Sequence, residues 1–200
     1  LANFILKKYP EIQKVGDSHP SFVSPRAGEK NMRPGIVHRL DKEASGLMVI
    51  ARTQKMFNHL KEQFKKRTIE KEYWALVHGK VAKDWGEINF PIARSTAGER
   101  MAARPLRSTV ILSDSEESLK NKRDPSVAML PQDDTDEKEA KTEFTVEKRF
   151  VNFTLLRVKI HTGRMHQIRA HMLAYNHPLV GDPLYFQKKQ KKTWDEKLGR

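Results

Sequence analysis

Apolar positions in this chain switch between two spacings, every second residue and every third or fourth, and each switch marks an element. Residues 1 to 9 place Phe4, Ile5 and Tyr9 on one side of a helix. Pro10 ends it, since proline has no N–H to continue the ladder. The stretch "GDSHPSFVSPRAGEKNMRPG" is punctuated by glycine, proline and serine and reads as a loop. "GLMVIAR" (46–52) is continuously apolar up to Ala51, which predicts a buried strand. Thr53 then stands as N-cap to a helix carrying Met56, Phe57, Leu60 and Phe64 at helical spacing. "IEKEYWALVHG" (69–79) alternates, with Tyr73, Ala75 and Val77 on one face and Trp74 and Leu76 on the other, and predicts a strand.

"TEFTVEKRF" and "FTLLRVKI" predict two more strands joined by a turn at Val151 and Asn152. "MHQIRAHMLAY" carries Ile168, Met172 and Tyr175 at i, i+4 and i+7, a short amphipathic helix after a turn at Thr162 and Gly163. This order predicts an α+β fold, a mixed and largely antiparallel sheet with flanking helices. Residues 113–140 break the pattern. They hold nine acidic and four basic residues, a net of −5, and read as a solvated, disordered insertion.

Charge narrows the partners. The whole chain carries +13 with a pI of about 9.9, and subtracting the insertion's −5 leaves +18 on the remainder. Such a balance points to nucleic acid or an acidic membrane surface. No apolar run approaches the ~18 residues of a membrane span. Among the partners, RNA is expected and a membrane is not. The opening "LANFILKKYP" is too short and too lysine-interrupted for a signal peptide, and without an initiator Met the chain reads as a fragment or processed product.

The chain has no cysteine, which removes disulfides, thiolate zinc sites and cysteine nucleophiles. Uracil C5-methyl transfer through a thiolate and zinc-dependent deamination are thereby excluded. Lack of cysteine also fits a reducing compartment; the cytoplasm is the expected location, with nucleus or organelle as alternatives. Neither GxGxxG nor GxxxxGK[ST] occurs, so dinucleotide and P-loop sites have no support.

Polar groups gather in three patches: His38-Arg39-Asp41, Glu72-Tyr73, and "TGRMHQIRAH" (162–171). With His161 just before it, the last has histidines at intervals of five, His161, His166 and His171, which invites a metal. Five residues turn a helix through roughly 500°, which sets His166 and His171 about 140° apart and off any shared ligand face. His166 and Arg169, three apart, do share a face. A glycosidase pair or a metal nuclease needs clustered carboxylates, and near Asp41 only Glu43 is available. What remains is one carboxylate, one phenol, and several arginines and histidines. That set suits a flat, anionic substrate with a single carboxylate as nucleophile or base. Ordinary roles stay open: Asp41 in a surface pair with Arg39, Tyr73 in a strand core, Arg169 on a phosphate.

"RPGIVHRLDKEASGLMVIAR" resembles the active-site signature of the RluA-type pseudouridine synthases, His-Arg-Leu-Asp followed by Thr-Ser-Gly-Leu. "KEYWALVHG" resembles their Lys-x-Tyr-x-Ala strand. "TGRMHQIRAHMLAYNHPLVGDPLY" resembles their third motif, with its His-Pro and Gly-Asp-x-x-Tyr. The three occur in family order, over about residues 30–105 and 140–186. The resemblance implies the pseudouridine synthase catalytic fold over 1–186, interrupted by 113–140 and followed by a basic tail at 187–200. It also implies an N-terminally incomplete sheet, because the family's opening Lys-Pro-x-Gly strands and frequent S4 domain have no counterpart here.

The activity implied is isomerisation of uridine in transfer or ribosomal RNA, by a monomer, without metal or cofactor. Asp41 would attack the ribose or remove a ribose proton. Tyr73 would stack on the base and help remove the C5 proton. Arg169 would pair with Asp41, Ile168 would pack on the flipped uracil, and Arg39 would fill the space the base leaves. His38, Leu40, Arg164, His166 and Gln167 complete the implied RNA-binding set. Ala44 and Met165 stand where the family has hydroxyl residues, which bears on rate or substrate fit rather than reaction type. The alternative class is an RNA-binding module that keeps the fold without catalysis; an intact Asp41, Tyr73 and Arg169 favour the enzyme.

Overall fold

The chain divides between Ile69 and Glu70 into two units. The structure, a computed structural model, describes residues 1–17, 33–95, 100–104 and 137–186. Most of the acidic stretch 113–140 and the whole basic tail lie outside them.

In the first unit, helix α1 (Ala2–Lys8) stops where Pro10 opens a short 3-10 helix (Pro10–Lys14). Ile5 is the buried member of α1, whereas Phe4 is 67% exposed, so only part of the expected apolar side faces inward. Helix α2 (Gln54–Lys66) begins as predicted at Thr53, whose Oγ1 accepts from Met56 N–H at 3.2 Å. It ends at Arg67 in the left-handed region, after Lys65 and Lys66, whose charge suits the carboxyl end of a helix. Ile5, Ile12, Val15, Ala51 and Phe57 form the core of this unit.

The strand expected at 46–52 is not formed. Its backbone meets a partner at a single antiparallel bridge, Ile36 to Ile50, and Leu47 and Val49 are 96% and 51% exposed. Apolar continuity supplies side chains for burial, but a strand also needs a neighbour to take up its N–H and C=O groups. Among the described residues that neighbour is reduced to the turn around Gly35. Gly35 has φ +68°, and a Cβ there would collide with the Ala51 carbonyl, so only glycine fits.

The second unit is built on a four-stranded antiparallel sheet in the order β1-β6-β5-β2. Its strands are β1 (Glu72–His78), β2 (Trp85–Ile88), β5 (Thr142–Arg149) and β6 (Phe153–Ile160). A separate hairpin joins β3 (Ile92–Arg94) to β4 (Met101–Ala103). The predicted alternation in β1 holds: Ala75 and Val77 are buried while Trp74 is 66% exposed. The turn between β5 and β6 closes with Phe150 N–H on the Phe153 carbonyl at 2.8 Å. In the register of β2 on β5, Gly86 faces Phe144, and a Cβ on Gly86 would run into the Phe144 ring at 2.6 Å. The missing side chain makes room for that ring in the core.

Helix α3 (Gln167–Ala174) packs against this unit, with Ala170 and Met172 in one buried cluster with Ala75, Val77, Leu156 and Val158. Full burial of side chains such as Leu156 and Met172 contributes ~1.5–3 kcal/mol each. The helix is not amphipathic in the predicted sense. Gln167, Arg169 and His171 are buried along with Met172, because hydrogen-bonding partners on other elements meet them inside the fold. Residues 137–140, read above as the end of the insertion, also belong to the packed unit. Lys138 exchanges two backbone hydrogen bonds with Ile92, and Ala140 is buried. No helix among the described residues is long and apolar enough to cross a membrane.

Candidate functional site

In the first unit the segment before α2 carries the candidate catalytic carboxylate, Asp41. Asp41 opens a tight turn in which its carbonyl accepts from Ala44 N–H at 3.1 Å. Lys42, Glu43 and Ala44 are exposed in that turn, and Asp41 is half-buried. His38 secures the approach: its Nε2 accepts from Val49 N–H at 3.0 Å, and its ring stacks on Phe64 of α2 at 4.9 Å. Arg39 is exposed, while His38 and Leu40 on either side of it are half-buried.

The remaining expected residues lie in the second unit. Tyr73 sits on β1 opposite Val158, and Tyr73 and Ile168 pack against the same buried cluster. Gln167 opens α3 and is 3% exposed. Its Oε1 accepts from Thr162 Oγ1 at 2.7 Å and from Arg164 N–H at 3.0 Å. Its Nε2 donates to the Lys141 carbonyl and to Thr142 Oγ1, both at 2.9 Å. An amide side chain has two donors and two lone pairs, so these bonds use its whole capacity. Gln167 therefore holds the turn that carries Arg164 rather than offering an open edge.

The network continues inward. The Thr142 hydroxyl lies 2.8 Å from His171 Nδ1, and His171 Nε2 lies 2.9 Å from the Phe90 carbonyl. Burial pushes the His171 ring below the ordinary histidine range, against the pull of the Phe90 carbonyl. The imidazole stays neutral, donating from Nε2 and accepting at Nδ1. The three histidines spaced five apart thus take separate partners: His161 meets Glu143 at 2.8 Å, His166 meets Tyr185, and His171 meets Thr142 and Phe90.

Arg169 is a buried cation of this unit. Its Nε donates to Asp182 Oδ2 at 2.7 Å and its Nη2 to Asp182 Oδ1 at 2.8 Å. The guanidinium lies 4.8 Å from the centre of the Tyr185 ring. Burial pushes the Asp182 carboxyl up, but the Arg169 fork and the N–H groups of Tyr185 and Leu184 bring it below the usual carboxylate range. The Tyr185 hydroxyl accepts from Met101 N–H at 2.6 Å and lies 2.9 Å from His166 Nδ1. His166 is the N-cap of α3 and takes a left-handed conformation, φ 54°. Met165 beside it is 41% exposed.

Two groups follow from the chain division. His38, Arg39, Leu40 and Asp41 share the first unit. Tyr73, Arg164, His166, Gln167, Ile168 and Arg169 share the second, where β1 and the start of α3 carry them. Sequence reasoning did not assign roles to Asp182, Tyr185, Thr142 or His171. The "GDPLY" run was the visible sign of the first two; nothing local marks Thr142, which meets His171 across 29 residues.

Comparison with known proteins gives a consistent result. A family profile described as RNA pseudouridylate synthase matches residues 9–174. A protein of Aquifex aeolicus, an uncharacterized RNA pseudouridine synthase, is 42% identical over 156 residues, covering 76% of this chain and 40% of that protein. The ribosomal large subunit pseudouridine synthase D of Nitrosomonas europaea is 35% identical over 185 residues, covering 92% of this chain and 40% of the relative. This chain thus spans about two fifths of the length of both relatives. The structure of human RNA pseudouridylate synthase domain containing 4 matches with a TM-score of 0.58 at 25% identity, over 76% of this chain and 52% of that one. That of the human domain containing 1 has a TM-score of 0.61 at 24% identity, over 79% and 57%, a likeness of fold.

Proposed function

This chain belongs to the RNA pseudouridylate synthase family, and from that premise we propose that it converts uridine to pseudouridine within structured RNA, transfer or ribosomal. The ribosomal substrate in the name of the Nitrosomonas relative favours ribosomal RNA. The reaction is a balanced isomerisation: the bond from ribose to N1 breaks, a bond to C5 forms, and a proton leaves C5 while N1 gains one. Neither oxidant nor metal enters that balance.

Asp41 supplies the carboxylate that acts on the ribose, from a half-buried position at the head of an exposed turn, flanked by Arg39 and Lys42. Tyr73 stacks on the uracil and assists proton loss at C5, with Ile168 on the base and Arg169 as the cation paired with Asp41. The target nucleotide is flipped out of its stack to reach these groups, and Arg39 fills the gap it leaves. The observation that carries the reading is Arg169: a buried arginine held in a two-point fork has a fixed direction, which a reaction needs and a general phosphate contact does not. Residues His38 and Gln167 support the loops from inside, while Arg39, Leu40, Arg164 and His166 contact RNA. We also propose that the protein acts as a monomer, and in the cytoplasm, the latter in keeping with a chain free of cysteine.

The test is tritium release from RNA labelled at uridine C5. The chain is expected to release tritium, and Asp41→Asn to bind the same RNA without release. Undiminished release by Asp41→Asn would remove the carboxylate's role. Folded protein that binds RNA and releases nothing would point instead to a binding module.

A further inference from the structure

Arg169 and Asp182 form an enclosed ion pair, with side chains 10% and 4% exposed. The pair is fixed from several directions. Asp182 Oδ1 also accepts from Leu184 N–H and Tyr185 N–H, both at 2.9 Å, so the carboxylate cannot rotate without losing backbone bonds. The Tyr185 ring lies 4.8 Å from the guanidinium, and its hydroxyl is tied to Met101 N–H and His166 Nδ1. The segment bearing Asp182 is in turn moored to the strand bearing Tyr73. Val180 N–H donates to the Leu76 carbonyl at 2.8 Å, and His78 N–H to the Pro178 carbonyl at 2.9 Å.

Enclosing two charges is a poor way to gain stability, since an apolar pair of similar volume does as well or better. What the fork does provide is orientation. Two parallel N–H···O bonds fix the guanidinium plane, which a single contact does not. We infer that Asp182 is a positioning residue for the isomerisation, fixing the plane and direction in which Arg169 meets the reacting groups. The inference rests on the proposed function for what those groups are, but not for the fork itself.

A double-mutant cycle on the full chain tests it, using Asp182→Asn, Arg169→Met and both together, with kcat and KM measured on RNA. Asp182→Asn is expected to lower kcat about 100-fold with KM changed less than about twofold, as misplacement of a transition-state group would. The double variant should have the kcat of Arg169→Met alone, because Asp182 acts through Arg169. Costs that multiply in the double variant, or a loss carried by KM, would overturn the inference. If Asp182→Asn does not fold, Asp182→Glu keeps the charge and moves the carboxylate by one methylene; normal kcat in that variant would equally overturn it.

A second readout does not depend on turnover. In 15N-labelled protein the Arg169 Nε–H should be protected from exchange, and Asp182→Asn, or Asp182→Glu in its place, should remove that protection. Unchanged protection would overturn the inference. If the unmutated chain makes no pseudouridine, the functional reading fails, and the Nε–H signal alone decides whether Asp182 orients Arg169.

Discussion

Thr142 and His171, 29 residues apart, share a buried hydrogen bond of 2.8 Å from Oγ1 to Nδ1. Gln167 Nε2 donates to the same oxygen, and with its Nε2–H on the Phe90 carbonyl the neutral imidazole leaves Nδ1 to accept the hydroxyl proton. Protonating His171 would put a second donor against a group already donating to it.

That arrangement predicts an acid-sensitive fold. Burial holds the folded His171 below the ordinary value of 6.5. Above that pH both folded and unfolded chains have a neutral ring. As pH falls from 6.5 toward the folded value, the unfolded chain binds a proton that the native state refuses, so stability is complete above 6.5 and lost through this window. His78, also pushed down by burial, acts in the same sense. Asp182 acts lower: held below its usual 3.8, it contributes stability present above that pH and lost as pH falls through its folded value. Urea midpoints should be flat above about pH 7 and decline below about pH 6.5. His171→Asn should lower the plateau and flatten the decline.

Tyr73→Phe separates chemistry from packing. The ring remains in the register opposite Val158, so folding and RNA binding should persist. If the hydroxyl assists at C5, kcat falls by about 100-fold or more, in the range of general acid–base contributions. A strand tyrosine with no part in the reaction would leave turnover near normal. Single-turnover kinetics on one defined RNA would decide.

Arg169→Lys keeps a positive charge and loses the fork. An ammonium cannot hold both Asp182 oxygens in one plane, so turnover should drop by at least about tenfold while RNA affinity stays within about threefold. Were Arg169 a phosphate ligand alone, Lys would substitute well, with near-normal turnover at saturating RNA. Filter binding and kcat on the same preparation distinguish these outcomes.

Excision within the acidic stretch tests its charge. Lys138 pairs with Ile92, and Glu137 meets Arg104 at 2.9 Å, so the cut should spare them and remove 114–136 with a short Gly-Ser bridge. The composition of that stretch cannot supply a core, and folding should persist. RNA affinity should hold or rise, and should weaken steeply with added salt as counterion release requires. A lost cooperative transition in thermal melting would show that the stretch has a structural part.

The sequence by itself determined the elements whose signals are local. Thr53 caps α2 because its hydroxyl reaches an N–H three residues on, and Pro10 ends α1 because it has no N–H to give. Alternation in β1 and β6 and the turn at Val151 and Asn152 are likewise carried by neighbouring residues, and so are the motif positions of Asp41, Tyr73 and Arg169. Only the tertiary structure decided the rest. Residues 46–52 look like a strand but make one bridge, because a strand exists only with a partner to take up its backbone. Helix α3 looks amphipathic but buries Gln167, Arg169 and His171, because Thr142, Thr162, Asp182 and Phe90 arrive from elsewhere to satisfy them. A polar side chain shows what it can bond, and its burial depends on partners that only the folded chain brings within reach.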